Sequence, residues 1–149
     1  MKKETNHILT KETIKNFIFA GNATFTVLNE KTGNRFTFRI RKAGWNTSEI
    51  KHDTFFISVL TGSDNNSSYT FLGTFFNKFG YKHSVKSRIG LESGSNKVID
   101  WFFKSYISNI SLYPTVKVFH SGKCGKCGKK LTTPESIKSG LGPYCSNMV

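Results

Sequence analysis

Arg35-Phe36-Thr37-Phe38-Arg39-Ile40-Arg41 decides the fold class. Its apolar residues recur at every second position, and an extended strand is what places i, i+2 and i+4 on one side. Phe36, Phe38 and Ile40 therefore face a core, while Arg35, Thr37, Arg39 and Arg41 face the other way. Just upstream, Asn29 to Asn34 reads as a turn in which Gly33 is free to take a positive φ. Before that turn, Phe17 to Leu28 reads as a strand kinked at Ala20-Gly21-Asn22. The two strands make a hairpin.

Outward in the other direction, Thr54–Thr61 and Tyr69–Phe76 again carry aromatic or β-branched residues at period two. The polar run Gly62 to Ser68 joins them as an exposed loop, which gives a second hairpin and an antiparallel sheet buried on one face. One long helix is expected from Asn96 to Ile107, capped by Ser93 or Ser95. Val98, Ile99, Phe102, Phe103, Tyr106 and Ile107 fall at helical spacing and should pack on the sheet. Val116–Phe119 reads as a last strand. Residues 1–13 are polar and read as frayed, apart from a short helical turn from Thr10. The expected fold class is α+β: an antiparallel sheet of hairpins packed by one main helix over residues 1–115, then a C-terminal cysteine-bearing module over 116–149.

Composition limits the partners. The 149 residues hold 22 Lys and Arg against 9 Asp and Glu, for a formal charge of +13. Such a balance favours an anionic partner, with nucleic acid the commonest. The charge is spread over residues 31–51, 78–97 and the tail from His120, as a folded basic surface would carry it. With 14 Phe, 5 Tyr and 2 Trp there is apolar mass enough for a core. No apolar run is long enough to span a membrane. Met1 to Gly21 lacks the uninterrupted apolar stretch of a signal peptide, so a cytoplasmic location is expected.

The three cysteines all fall in the tail. Cys124 and Cys127 have the spacing that lets two thiolates grip one tetrahedral Zn²⁺ from a tight turn, and Cys145 follows a Gly-Pro-Tyr approach typical of a helix start. Structural zinc takes four ligands. His120, four residues before Cys124, is the nearest histidine and is chosen as the fourth, with water or an external group as the alternative. Thr132 and Glu135 read as the capping box of a short helix ending at Gly140. His7, His52 and His83 have no partners at ligand spacing and read as exposed or hydrogen-bonded side chains.

The pattern His-x-x-x-Cys-Gly-x-Cys-Gly-x-x-Leu-Thr-x-Pro-Glu-Ser-Ile-x-x-Gly-x-Gly-Pro-x-Cys over His120–Cys145 resembles a small zinc-finger-like motif of uncharacterised phage and prophage proteins. A weaker similarity extends to Phe19–Thr26 and Thr32–Phe38. The resemblance implies a treble-clef-like site with Cys124, Cys127, Cys145 and His120 as ligands, a viral or mobile-element origin, and hence the cytoplasm of a bacterial host. It implies no activity.

Two functions follow as expectations. The first is non-catalytic binding of DNA or RNA, with Arg35, Arg39, Arg41 and Lys42 on the strand and Lys123, Lys126, Lys129 and Lys130 on the cysteine module meeting phosphates. Trp45, Tyr81 and Trp101 are the candidates for stacking on bases, and the Phe pairs 55–56, 75–76 and 102–103 read as core. The alternative is a phage anti-defence or host-takeover protein that inhibits a bacterial nuclease or CRISPR-type complex through protein or nucleic-acid contact. Catalysis is not expected, nor is a small-molecule substrate: the nine carboxylates lie scattered, without the paired acidic motif of a two-metal nuclease, and there is no phosphate-cradling Gly-rich loop.

Overall fold

The computed structural model describes residues 7–42, 54–62, 68–76 and 79–142. Six strands form one antiparallel sheet: β1 (Asn22–Asn29), β2 (Arg35–Lys42), β3 (Thr54–Leu60), β4 (Tyr69–Phe76), β5 (Gly80–His83) and β6 (Val116–His120), in the spatial order β5-β4-β3-β2-β1-β6. Both expected hairpins are present, and β6 closes the far edge by pairing with β1. Among the described residues the α-helices that accompany the sheet are α1 (Ile14–Ile18), α2 (Gly94–Trp101) and α3 (Pro134–Ser139). Among the described residues no helix is long and apolar enough to cross a membrane.

The alternation of β2 sets the two faces of the whole sheet. Phe38 and Ile40 are fully buried, and so are Ala23 and Phe25 of β1, Ile57 of β3 and Val118 of β6. On this side α2 continues without a break into a π-helical turn, Phe102–Tyr106. Ser93 caps α2 by accepting a hydrogen bond from the Asn96 amide at 3.2 Å. Ile99, Phe102 and Tyr106 line the buried side, with Phe102 stacked on Phe25 at 5.3 Å between ring centroids. Phe103 lies against Phe75 at 4.5 Å.

A β-bulge reassigns the aromatic residues of β4. Tyr69, Phe71 and Phe75 all lie at odd positions and would share a face in a regular strand. The register shifts between Ile57 and Ser58, so that Ser58 pairs with Phe71 while Ile57 pairs with Gly73, and Leu72 is the extra residue. Phe71 and Tyr69 therefore stay with Ser58 and Leu60 on the open side, whereas Phe75 joins Phe19, Phe55 and Phe103 in the core. Gly73 sits where β5 comes closest: a Cβ there would collide with the Lys82 carbonyl and stand 2.9 Å from the Tyr81 hydroxyl.

Two segments differ from the expectation. Phe17 belongs to α1 rather than to a strand, and Ile14, Phe17 and Ile18 are completely buried. Three apolar residues at helical spacing find more burial as one turn under the sheet edge than as an extension of β1. Residues 7–9 are tied down as well: the Leu9 amide donates to the Val118 carbonyl at 2.8 Å and Ile8 bridges to Phe119. The domain boundary expected at residue 116 falls at the start of β6, an integral strand of the sheet.

Candidate nucleic-acid interface and cysteine hairpin

No described helix lies over the other face of the sheet among the lining residues of its two depressions. Cross-strand pairing builds it in rows. Thr24, Arg39, Ser58 and Phe71 form one row, and Asn22, Arg41, Phe56 and Thr74 the next. Lys117, Leu28 and Arg35 form another. Arg35 and Arg41 are exposed, and the Arg39 guanidinium lies 4.0 Å over the Tyr69 ring, a cation–π contact. Burial, then the charge of Arg41, lowers the Arg39 guanidinium from its ordinary value, with Tyr69 opposing. An added anion would relieve that crowding of positive charge.

A depression of about 650 Å³ runs along these rows, lined by Arg35, Arg39 and Arg41 with Thr24, Tyr69 and Lys123 among others. A second, of about 400 Å³, is lined by Arg39, Arg41, Phe56, Ser58 and Phe71. Among the described residues no acidic side chain lines either. The strand arginines and Lys123 of the tail thus share one surface. Lys42 does not: it pairs with Phe55 and follows Phe38 and Ile40 onto the other side. Lys126, Lys129 and Lys130 line neither depression.

The stacking residues named from sequence lie elsewhere. Tyr81 is core, its hydroxyl donating to Asn96 Oδ1 at 2.7 Å. Trp101 is half-buried against Tyr106 and Tyr113 in the helical layer. Trp45 lies outside the described residues. Phe56, expected in the core, is 47% exposed beside the arginines, edge-on to Phe71 at 6.1 Å. Period two on β3 already carries that signal, since Phe55, Ile57 and Val59 on the core side force Phe56 to the other.

Beyond β6 the chain forms the cysteine hairpin. Lys123 bridges to Lys130, and the Cys124 amide donates to the Lys129 carbonyl at 2.8 Å. The hairpin is bound to the sheet through Asn22, whose amide donates to the Gly125 carbonyl at 2.7 Å, and Gly125 packs closely against Phe17 of α1. Gly140, at φ +77, ends α3, and a Cβ on it would come within 2.5 Å of the Phe17 ring. Ala20, Cys124, Leu131 and Leu141 bury a small second core, with Ile137 against it. The cap of α3 is Thr133 with Ser136, not Thr132 with Glu135.

Cys124 has the surroundings of a thiolate. Its Sγ accepts from the amides of Lys126 at 3.4 Å and Gly142 at 3.3 Å. Burial pushes the Cys124 thiol up, but the backbone amides of Cys127, Gly142 and Lys126 and the Cys127 thiol outweigh it and bring it to about 7. Cys127 is exposed next to it. Two thiols on a turn that already donates N–H groups to sulfur fit a metal that takes thiolate ligands. Cys145 lies outside the described residues.

His120 has a different employment. It is 2% exposed at the end of β6. Its Nδ1 accepts from the Gly122 amide at 3.0 Å, and its Nε2 is hydrogen-bonded to the Ile137 carbonyl. An amide only donates and a carbonyl only accepts, so the ring is the neutral Nε2–H tautomer with its lone pair in use. In this arrangement neither nitrogen is open to a metal. Burial above all lowers its pKa to about 4, with the Ile137 bond opposing and His7, stacked on it at 4.6 Å, adding to the fall. His120 is a latch between β6 and α3. Among the described residues no three His, Cys, Asp or Glu side chains converge on a metal position.

A family model described as a family of unknown function (DUF6011) matches residues 117–147, from within β6 through the cysteine hairpin. No curated protein and no solved structure matches the chain.

Proposed function

We propose that this chain binds nucleic acid without catalysis, through the open face of its sheet. The observation that carries the reading is the gathering of Arg35, Arg39, Arg41 and Lys123 around depressions that no acidic residue lines among those described. Residues two apart on a strand, such as Arg39 and Arg41, are about 6.8 Å apart along the backbone, which lets their side chains meet successive phosphates. The hydroxyls of Thr26 and Thr37, bonded to each other at 2.7 Å, and of Thr24 offer further partners to phosphate and sugar oxygens.

In this reading the cysteine hairpin holds a structural Zn²⁺ through Cys124, Cys127 and Cys145, with the fourth position taken by water or an external group in place of His120. Such an ion, when bound, neutralises thiolate charge and fixes the turn that presents Lys123. The test has two readouts. Metal analysis of the purified protein should find zinc, reduced in Cys127→Ser. Titration of labelled oligonucleotides should show binding that weakens steeply with salt. Absence of binding to any oligonucleotide at low salt removes the function, and absence of zinc removes the metal.

A further inference from the structure

We infer that the nucleic acid this face takes is single-stranded, with an unpaired base stacked on Phe56. The inference rests on the nucleic-acid reading and names its substrate class. Phosphate contacts alone would serve a duplex as well as a single strand. The aromatic residues separate the two. Phe56 is 47% exposed and directly cross-strand from Arg41, so a large apolar ring faces solvent beside a cation. Phe71 packs against it with ring planes at 80°, and the two rings line one depression together with Arg39 and Arg41. A ring in that setting is completed by a flat, apolar ligand that carries its own negative charge close by. An unpaired nucleotide has that chemistry; in a duplex the base faces are hidden in the stack.

The layout of the face agrees. From β4 to β1 there are three strand spacings, about 14 Å. Across them lie Phe71 and Phe56, then Arg41 and Arg39, then Thr24, with Lys123 just past the end of β6. Aromatic residues stand at one side and cations at the other, so a strand crossing the sheet can lay a base on Phe56 while its backbone follows the arginines. Reading the bases of a duplex would need an element that projects into a groove, whereas a flat sheet face can reach a base only when it is unpaired. The lining of both depressions is drawn mainly from the strands themselves. An acidic peptide would use the arginines but gain nothing from a stacking face.

The experiment is fluorescence anisotropy with labelled oligothymidylate, the matching oligouridylate and a duplex of equal length, with polyglutamate as competitor. The single strands should bind at least about tenfold more tightly than the duplex, because stacking adds to the shared phosphate contacts. Phe56→Leu keeps an apolar side chain without an aromatic face; it should lose about tenfold on the single strands and leave the duplex unchanged, whereas Phe56→Tyr should bind as the parent does. Equal affinity for duplex and single strand, or a Phe56→Leu variant that binds single strands as the parent does, overturns this inference and leaves general nucleic-acid binding standing. Displacement by polyglutamate as effective as by unlabelled oligonucleotide also overturns it, in favour of an acidic protein partner. Failure of every oligonucleotide to bind at low salt removes both readings.

Discussion

The two faces of the sheet come from the same strands and differ in every other respect. One buries Phe25, Phe38, Ile40 and Ile57 beneath α2 and its π-helical continuation. The other sets Arg35, Arg39 and Arg41 among threonines and half-exposed aromatic rings. Strand geometry makes this division residue by residue, and neighbours in sequence can have opposite duties. Phe55 and Phe56 are the sharpest instance, at 5% and 47% exposure. Phe55→Ala should therefore cost about 3–5 kcal/mol in stability, as buried phenylalanine truncations do. Phe56→Ala should cost only a small fraction of that. Urea denaturation of the two variants compares them directly; equal losses would mean that the faces are not divided as described.

Most of this division was legible in β2, whose alternation is unbroken, and the helix cap at Ser93 was legible from its hydroxyl just ahead of the apolar stripe. What was hidden depended on contacts distant in sequence. The bulge at Leu72 lies beside Gly73, where β5 comes close; a lone glycine inside Tyr69–Phe76 is the local sign of such a site, but it does not say which aromatic residues change face. The membership of Phe17 in α1 follows from its place between the sheet and Gly140 of the tail, more than a hundred residues on. Nearness to Cys124 and the resemblance over His120–Cys145 pointed to His120 as a zinc ligand, while burial and two hydrogen bonds engage both of its ring nitrogens otherwise. The exposure of Phe56 needed only the alternation of β3 applied strictly, against the habit of assigning phenylalanine to a core.

The open face can be tested without disturbing the covered one. Arg39→Glu/Arg41→Glu should leave the melting temperature close to that of the parent, since Arg41 is exposed and Arg39 half-buried. Oligonucleotide affinity should fall by more than about tenfold, and the slope of log K against log salt should drop by about 1.4, at about 0.7 per phosphate contact on a single strand. An unchanged slope would place the phosphates elsewhere.

The covered side carries a pH dependence in the acid range through His120. An unfolded histidine takes up a proton near 6.5, but His120 in the fold does so only near 4. Between those values the unfolded chain binds more protons, so stability falls as pH drops from 6.5 towards 4, and above 6.5 this residue contributes no slope. Protonation of Nδ1 would also break the bond from Gly122. Denaturation across this range should show the loss in the parent protein and a shallower one in His120→Gln. Equal slopes would mean that the latch is not titrating.

The smallest effect tests how the tail is held against the sheet. Two threonines in succession compete to cap α3, and the sequence favours Thr132, whose third neighbour is Glu135. The structure uses Thr133: its hydroxyl accepts from the Ser136 amide at 3.3 Å, and Ser136 Oγ accepts from the Thr133 amide at the same distance. The reason is burial. Ser136 is 4% exposed against the second core, whereas Glu135 is exposed, and a carboxylate brought into that position would have to lose its water. Thr133→Ala should then cost about 1 kcal/mol, as the loss of a helix cap does. Thr132→Ala, a surface change away from the cap, should stay within about 0.5 kcal/mol of the parent. If the costs came out reversed, α3 would begin one residue earlier, Glu135 would take the inward place of Ser136, and the bond from His120 to Ile137 would have to be redrawn.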